Sequence, residues 1–481
     1  MKQNAVLNII KQMCSILFPL ITFPYAVRIL GVEYYGKVNY CNSLITYFSL
    51  LAALGMQNYA IREGARIREN KEKLSYLANQ LFTINSITAI IAYMLFLLCI
   101  LVSDNMYDNR YLLLVQSLII PFSTLGCEWI NIIHEDYKYI TIRYIILQII
   151  SIIAMFLFVH SEADYIIYAA IMTFAQAGAG AANIVYIRKK YFSIKFKLHN
   201  IELIKHLKPL LILFGVTLSS YVYINADTTM IGIYRGDIEV GLYSAATKIY
   251  NIVKMMISAA MVVTIPRLSA LAGEKRKNEY NFLLNKIISL IGIIVIPCTA
   301  GLFMLSKQAI LIACGAEYME SYTALRILSV TMLISSFSYI FSSGVLIPNK
   351  KDKKFFIITI VSAIVNIGLN IIVIPVTGYT GAAITTLISE IIVFCMTFFE
   401  AKSLIIINKK IDWLYDSMIG TVAIVIICFV AQKTMTNTFI ICIVSIVLST
   451  IAYAMIMLIF NNKQAKEIMT YFIKIILNKK E

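Results

Sequence analysis

The chain has 481 residues, 60% of them hydrophobic and only 14% charged, with a mean hydropathy of +0.79. So little charge cannot solvate the surface of a soluble domain, and an all-α, polytopic membrane protein is expected. The net charge of +16 does not point to nucleic acid, because the basic residues gather in alternate loops, as they do in membrane proteins that keep positive loops inside.

A bilayer core about 30 Å thick takes roughly 20 apolar residues per helix, so with short connections this length holds about fourteen crossings and no large soluble domain. In chain order, apolar segments bounded by turn or charge signals predict helices over 9–30, 39–60, 77–102, 112–133, 144–159, 165–187 and 210–233, here spans 1 to 7. Spans 8 to 14 follow over 240–265, 282–305, 324–347, 355–374, 382–407, 414–431 and 439–460. Basic clusters follow every second span: Arg62, Arg66 and Arg68; Arg188, Lys189 and Lys190; Arg267 and Arg276; Lys350, Lys351 and Lys353. They mark the cytoplasmic side, so an even number of spans puts both termini in the cytoplasm. The first span has no cleavage site and reads as an uncleaved helix. Beyond span 14, the tail sets Ile468, Phe472, Ile475 and Ile476 among lysines at helical spacing, the pattern of an amphipathic helix on anionic lipid.

Catalysis leaves no trace. There is no phosphate-binding loop for nucleotide hydrolysis, and the loops on the outer side are too short to hold catalytic acids and a sugar acceptor. The nine cysteines form no CxxC pair, and His134, His160, His199 and His206 lack metal-ligand spacing, so neither a metal nor another cofactor is expected. The small residues Ala177 to Ala182 follow no strand and read as a close helix contact in span 6.

The informative residues are polar ones inside apolar spans, where an ionised group needs a partner or a water-filled cavity. On span 8, Tyr243, Thr247, Tyr250, Lys254 and Ser258 form one stripe at helical spacing, with Lys254 about 20 Å from the outer end, too deep to snorkel comfortably. Lys248 lies on another face and is a second substrate-binding candidate or the partner of an interhelical ion pair. On span 7, Ser220, Tyr223 and Asp227 share a face; Asp227 either takes up a coupling ion or neutralises Lys248 or Lys254. Glu390 in span 12 is a second coupling candidate, and Glu128 at the inner end of span 4 a weaker one. Pro19 and Pro24 bend span 1 ahead of Tyr25 and Arg28, and bent helices suit a gate. Arg28 and Arg326 each face a cavity or snorkel to the interface. Ser362, Asn366 and Asn370 form a row on span 11 suited to interhelical hydrogen bonds.

The two halves of the chain echo each other. Gly36 and Gly241 open spans 2 and 8, and Arg62 and Arg267 follow those spans, which suggests two six-helix bundles related by an axis along the membrane normal, followed by a further pair.

Several stretches carry a family resemblance. Phe23-Pro-Tyr-Ala-Val-Arg-Ile-Leu-Gly-Val-Glu-Tyr-Tyr-Gly36, Gly241-Leu-Tyr-Ser-Ala-Ala-Thr-Lys248, and Asn366-Ile-Gly-Leu-Asn370 running into Ile374-Pro-Val-Thr-Gly-Tyr-Thr-Gly-Ala-Ala383 resemble bacterial polysaccharide repeat-unit flippases of the multidrug/oligosaccharidyl-lipid/polysaccharide exporter superfamily. The resemblance implies two six-helix lobes, 1–190 and 191–410, around a central cavity, two added helices in 411–460 and a cytoplasmic tail, 461–481. It implies a flippase of the bacterial inner membrane that moves undecaprenyl-diphosphate-linked oligosaccharide for O-antigen, capsule or exopolysaccharide assembly, among membrane lipids and beside a polymerase and a chain-length regulator. Cationic side chains on helices 1 and 8 of related lipid II flippases make Arg28 and Lys254 the matching candidates, with Lys248, Tyr250 and Arg326 beside them. An ion-coupled multidrug exporter of the same superfamily is the alternative, although a carrier of organic cations would favour acidic residues in its cavity.

Overall fold

A computed structural model of the chain describes residues 2–197, 202–262, 264–274, 276–406, 412–462 and 464–467. Among them the regular structure is helical throughout. Packing divides the chain into two compact units, Met1–Gly241 and Leu242–Glu481. The described residues contain ten helical stretches long and apolar enough to cross a membrane, or eleven if the bent pair Lys205–Ser219 and Tyr221–Arg235 is one span.

The first unit begins with α1 (Lys2–Ala53), which is interrupted at Gly31, where φ is 66° and ψ 175°. The interruption falls between expected spans 1 and 2. A turn through Leu54 and Gly55, both at positive φ, leads into α2 (Met56–Ala65) and then α3 (Lys71–Val102), capped by Asn70, whose side chain accepts from the Lys73 amide. On α3 the exposed side chains Ile90, Met94, Leu98 and Leu101 form a row at helical spacing. Apolar residues turned outward along a helix whose buried face holds Thr83, Asn85 and Ser86 are what a lipid surround selects.

Span 4 is not one helix. After the short α4 (Asp104–Asp108), which precedes it, the span is built as α5 (Arg110–Ser117), α6 (Ile119–Leu125) and α7 (Glu128–Ile133). Pro121 has no amide hydrogen to donate, and Cys127 sits at φ 50°, so the helical ladder is broken twice. The carbonyls released near these breaks are met by buried amides: Asn85 donates to Thr124 O (2.9 Å) and Asn183 to Gly126 O (2.6 Å), while Asn131 donates to Asn183. Buried backbone groups require such partners. Next come α8 (Tyr137–Phe158) and α9 (Tyr165–Lys190). Gly180 of α9 lies so close to Phe122 of α6 that a Cβ there would overlap the Phe122 carbonyl, which accounts for the small residues in span 6. The unit closes with α10 (Leu203–Arg235) and the first turn of α11 (Asp237–Val262).

The second unit takes the rest of α11, then α12 (Ile265–Gly273), α13 (Lys277–Met304), α14 (Ser306–Ala313) and α15 (Tyr322–Tyr339). α15 continues as a π-helix over Ile340–Leu346. Tyr280 of α13 donates to the Gly344 carbonyl inside it (2.7 Å). α16 (Asp352–Ala401) is interrupted at Gly378 (φ 61°, ψ −140°) just after Pro375, between expected spans 11 and 12. Two further helices, α17 (Asp412–Thr434) and α18 (Thr438–Ile459), pack through Ile424, Cys428, Ala431 and Ile441 onto Leu305. Of the expected amphipathic tail, 461–481, residues 463 and 468–481 lie outside the described residues.

Candidate functional site

The second unit holds a cavity of about 410 Å³. One wall is α11, which presents Asn251, Lys254, Met255, Ser258 and Met261; Glu390 and Val393 come from α16. Facing them are Ser335, Ser336, Ser338 and Tyr339 from the end of α15, and Ser342 from the π-helix. Residues 335, 338, 339 and 342 share one helical face, and π-helical segments widen a helix locally and recur at functional sites.

Lys254 is held at three points. Its ammonium donates to the Tyr250 hydroxyl one turn earlier (3.0 Å), lies 5.3 Å from the centre of that ring, and stands 4.0 Å from Glu390 Oε1. Tyr250 is 7% exposed, so the phenol is a fixed post. About a third of the Lys254 side chain, 35%, stays accessible against 12% of Glu390, which leaves the ammonium available to something entering the cavity. An ion pair in such surroundings is strong only while both members are present.

Of the other candidates, Lys248 sits half-buried six residues before Lys254, turned about 240° away around the helix. Arg326 donates to Ser306 Oγ (3.1 Å) and the Phe303 carbonyl (3.3 Å) and lies over the Tyr322 ring, fastening α15 to the end of α13. Arg28 and Asp227 belong to the first unit. Arg28 is on an exposed face of α1 just before the Gly31 break. Asp227 is 4% exposed on α10, two residues from Thr229, whose hydroxyl meets Ser43 (2.8 Å) and Tyr47 (3.4 Å). Glu128 is engaged by Arg143 at 2.6 Å and Lys11 at 3.8 Å. Asn366 and Asn370 are buried; Asn370 donates to Asn366 (3.2 Å) and accepts from Thr385.

The residues that the periodicity of span 8 could not reveal are those across the cavity from it. Ser335-Ser-Phe-Ser-Tyr-Ile-Phe-Ser-Ser343 is visible as a serine-rich run, but its orientation toward Lys254 comes from helix packing. A second cavity of about 720 Å³, lined among others by Ile294, Pro297, Leu302, Ile446 and Tyr453, lies between α13 and the final pair α17 and α18 and is almost wholly apolar.

Residues 1–272, more than half the chain, match the family model described as "Polysaccharide biosynthesis protein", and residues 213–372 match the MatE model. Two relatives bear the name "Putative O-antigen transporter". One, from Shigella dysenteriae, is 27% identical over 82% of this chain and 98% of its own length. The other, from Escherichia coli strain K12, is 24% identical over 82% of this chain and 94% of its own. Among solved structures, the lipid II flippase MurJ in an inward closed conformation superposes with a TM-score of 0.78 over 98% of this chain and all of its own, at 16% identity. An inward-facing MATE multidrug transporter gives 0.62 over 80% of this chain and 94% of its own, also at 16% identity. The fold is therefore that of these multi-pass membrane transporters.

Proposed function

We propose that this chain, which belongs to the polysaccharide biosynthesis protein family, is a flippase carrying undecaprenyl-diphosphate-linked oligosaccharide repeat units across the bacterial cytoplasmic membrane by alternating access. The names of the two long-range relatives support the substrate class. The observation that carries the reading is Lys254, a cation inside a hydroxyl-lined cavity where packing alone gives no reason for charge.

The chemistry is consistent with that cargo. Its diphosphate needs a cation, and a lysine ammonium serves as a point charge for phosphate; Arg28, Lys248 and Arg326 are the further substrate-binding candidates, with Tyr250 setting the position of Lys254. The isoprenoid tail can stay in lipid, and the apolar cavity beside α17 and α18 supports a place for part of it. Only the headgroup then has to leave water. Asp227 and Glu390 are proposed to couple the cycle to an ion. We further propose fourteen crossings with both termini cytoplasmic, lobes 1–190 and 191–410 moving against each other, a helix pair in 411–460 and a tail, 461–481, on the inner leaflet. The protein acts without catalysis of its own, upstream of a polymerase and a chain-length regulator.

A drug exporter is the second reading, favoured by the MatE match over 213–372. The pairing in the cavity opposes it, since the one carboxylate there that could receive an organic cation, Glu390, already faces the Lys254 ammonium at 4.0 Å.

The test is a deletion strain in which lipid-linked repeat units are quantified and assigned to a leaflet. Undiminished synthesis, accumulation in the inner leaflet and loss of surface polysaccharide are expected. Absence of the lipid-linked unit itself would favour a biosynthetic enzyme.

A further inference from the structure

The cavity around Lys254 is not a simple anion site. One ammonium and one carboxylate line it, 4.0 Å apart, so its formal charge is balanced. On the wall opposite, four serine hydroxyls have their hydrogens already committed: Ser335 donates to Met332 O (3.2 Å), Ser336 to Met332 O (2.7 Å), Ser338 to Ile334 O (3.0 Å) and Ser342 to Tyr339 O (3.2 Å). On α11, Ser258 likewise donates to Met255 O (3.0 Å). A serine hydroxyl has a single hydrogen and two lone pairs, so hydroxyls held this way offer acceptor capacity. Together with the Glu390 carboxylate they form an acceptor-rich surface, with Lys254 as the charged donor at one side. Such a surface attracts groups that bring O–H and N–H donors, and on the side away from Lys254 it disfavours negative charge.

Resting on the flippase reading, we infer that the face formed by Ser335, Ser338, Tyr339 and Ser342 is a subsite for the uncharged sugar next to the diphosphate, and that this site selects hydroxyl- and acetamido-bearing sugars against acidic ones. Lys254 meets the diphosphate, and the first ring lies against the serine wall, where the Tyr339 and Phe355 rings supply apolar surface for its C–H face. A cavity of about 410 Å³ is near the lower end of ligand pockets, about 300–1,000 Å³, and so receives the start of the saccharide chain rather than all of it. Glu390 has a double consequence here. It accepts from neutral sugars, and it makes a carboxylate on that first ring unfavourable by like-charge repulsion.

The experiment uses the full chain, purified in detergent, and three probes: undecaprenyl diphosphate without sugar, the same lipid bearing N-acetylglucosamine, and the same lipid bearing glucuronic acid. Binding is measured for the wild type, Ser338→Ala/Ser342→Ala and Glu390→Gln, with thermal unfolding recorded for each. The wild type is expected to bind the N-acetylglucosamine lipid about tenfold tighter than the bare lipid, and the glucuronic acid lipid no tighter than the bare one. The serine variant should lose the N-acetylglucosamine preference, and Glu390→Gln should relax the discrimination against glucuronic acid, which tests the site independently if the serine variant does not fold. Equal wild-type affinity for all three lipids would overturn the subsite while leaving the flippase reading standing. No binding of any of them would overturn both.

Discussion

Gly36 of α1 and Gly241 of α11 pack backbone against backbone. A Cβ on Gly36 would lie 2.6 Å from the Gly241 nitrogen and overlap the Asp237 carbonyl, and a Cβ on Gly241 would overlap the Val32 carbonyl. The nearest atoms to a Cβ on Gly36 are all backbone, so no flexible side chain can yield there. Gly36→Ala should therefore destabilise the protein by roughly 1–3 kcal/mol, the usual cost of overpacking. Gly368→Ala on α16, where no neighbouring atom lies within 4 Å, should be neutral or up to about 1 kcal/mol stabilising. Thermal unfolding in detergent checks both, and equal behaviour of the two variants would contradict the close approach.

His134 stacks on Tyr191 with ring centres 4.1 Å apart, in the loop before α8. Burial, then the nearby cations Arg68 and Lys190, hold its imidazole below the ordinary histidine value, while Asp136 and Glu69 pull the other way. The unfolded chain then binds the proton more readily, so this group's contribution to stability is present above about pH 6.5 and is lost as pH falls below it. Asp136 titrates in a separate, more acidic window: burial alone would raise it, yet donors from Lys190, Tyr186 and Tyr191 hold it below the ordinary carboxylate range. Unfolding temperature should fall between about pH 7 and 5.5, and His134→Phe should flatten that slope. An unchanged slope would remove His134 from the account.

Tyr280 donates to the Gly344 carbonyl within the π-helix and accepts from Asn349 (3.4 Å). Tyr280→Phe should cost about 1 kcal/mol of stability, the net worth of a typical hydrogen bond, and should lower transport further by loosening the segment that carries Ser342. A variant with reduced stability and full transport would separate the π-helix from the site.

Much of this architecture is legible in the residues before any coordinates. The stripe through Tyr250 and Lys254 follows from spacing within a single segment, which local periodicity reports well. The partnership of Lys254 with Glu390 does not. It depends on the packing of α11 against elements far along the chain, and apolar periodicity records which face of a helix is polar, never which helix it meets. Span 4 reads as one helix because its apolar run is continuous, whereas the breaks depend on buried Asn85 and Asn183 donating to the carbonyls near them. The serines of α15 read as composition alone until the fold turns them toward a lysine.

Asp227 and Glu390 are the two carboxylates proposed to couple transport to an ion. Each amide variant, Asp227→Asn and Glu390→Gln, should fold, flip substrate down its own gradient, and lose the acceleration given by an imposed proton or sodium gradient in proteoliposomes. Gradient dependence equal to that of the wild type would exclude the residue from coupling and leave it a structural partner.

A positive charge at Lys254 is proposed to recognise the diphosphate of the cargo. The most direct measurement is surface polysaccharide in a deletion strain carrying Lys254 variants, with membrane protein quantified alongside. Lys254→Ala and Lys254→Gln should abolish or greatly reduce export at normal protein levels, whereas Lys254→Arg should keep part of it, because the charge matters more than one donor geometry. Full export by Lys254→Ala at normal protein levels would contradict the account and return the drug-exporter reading to first place.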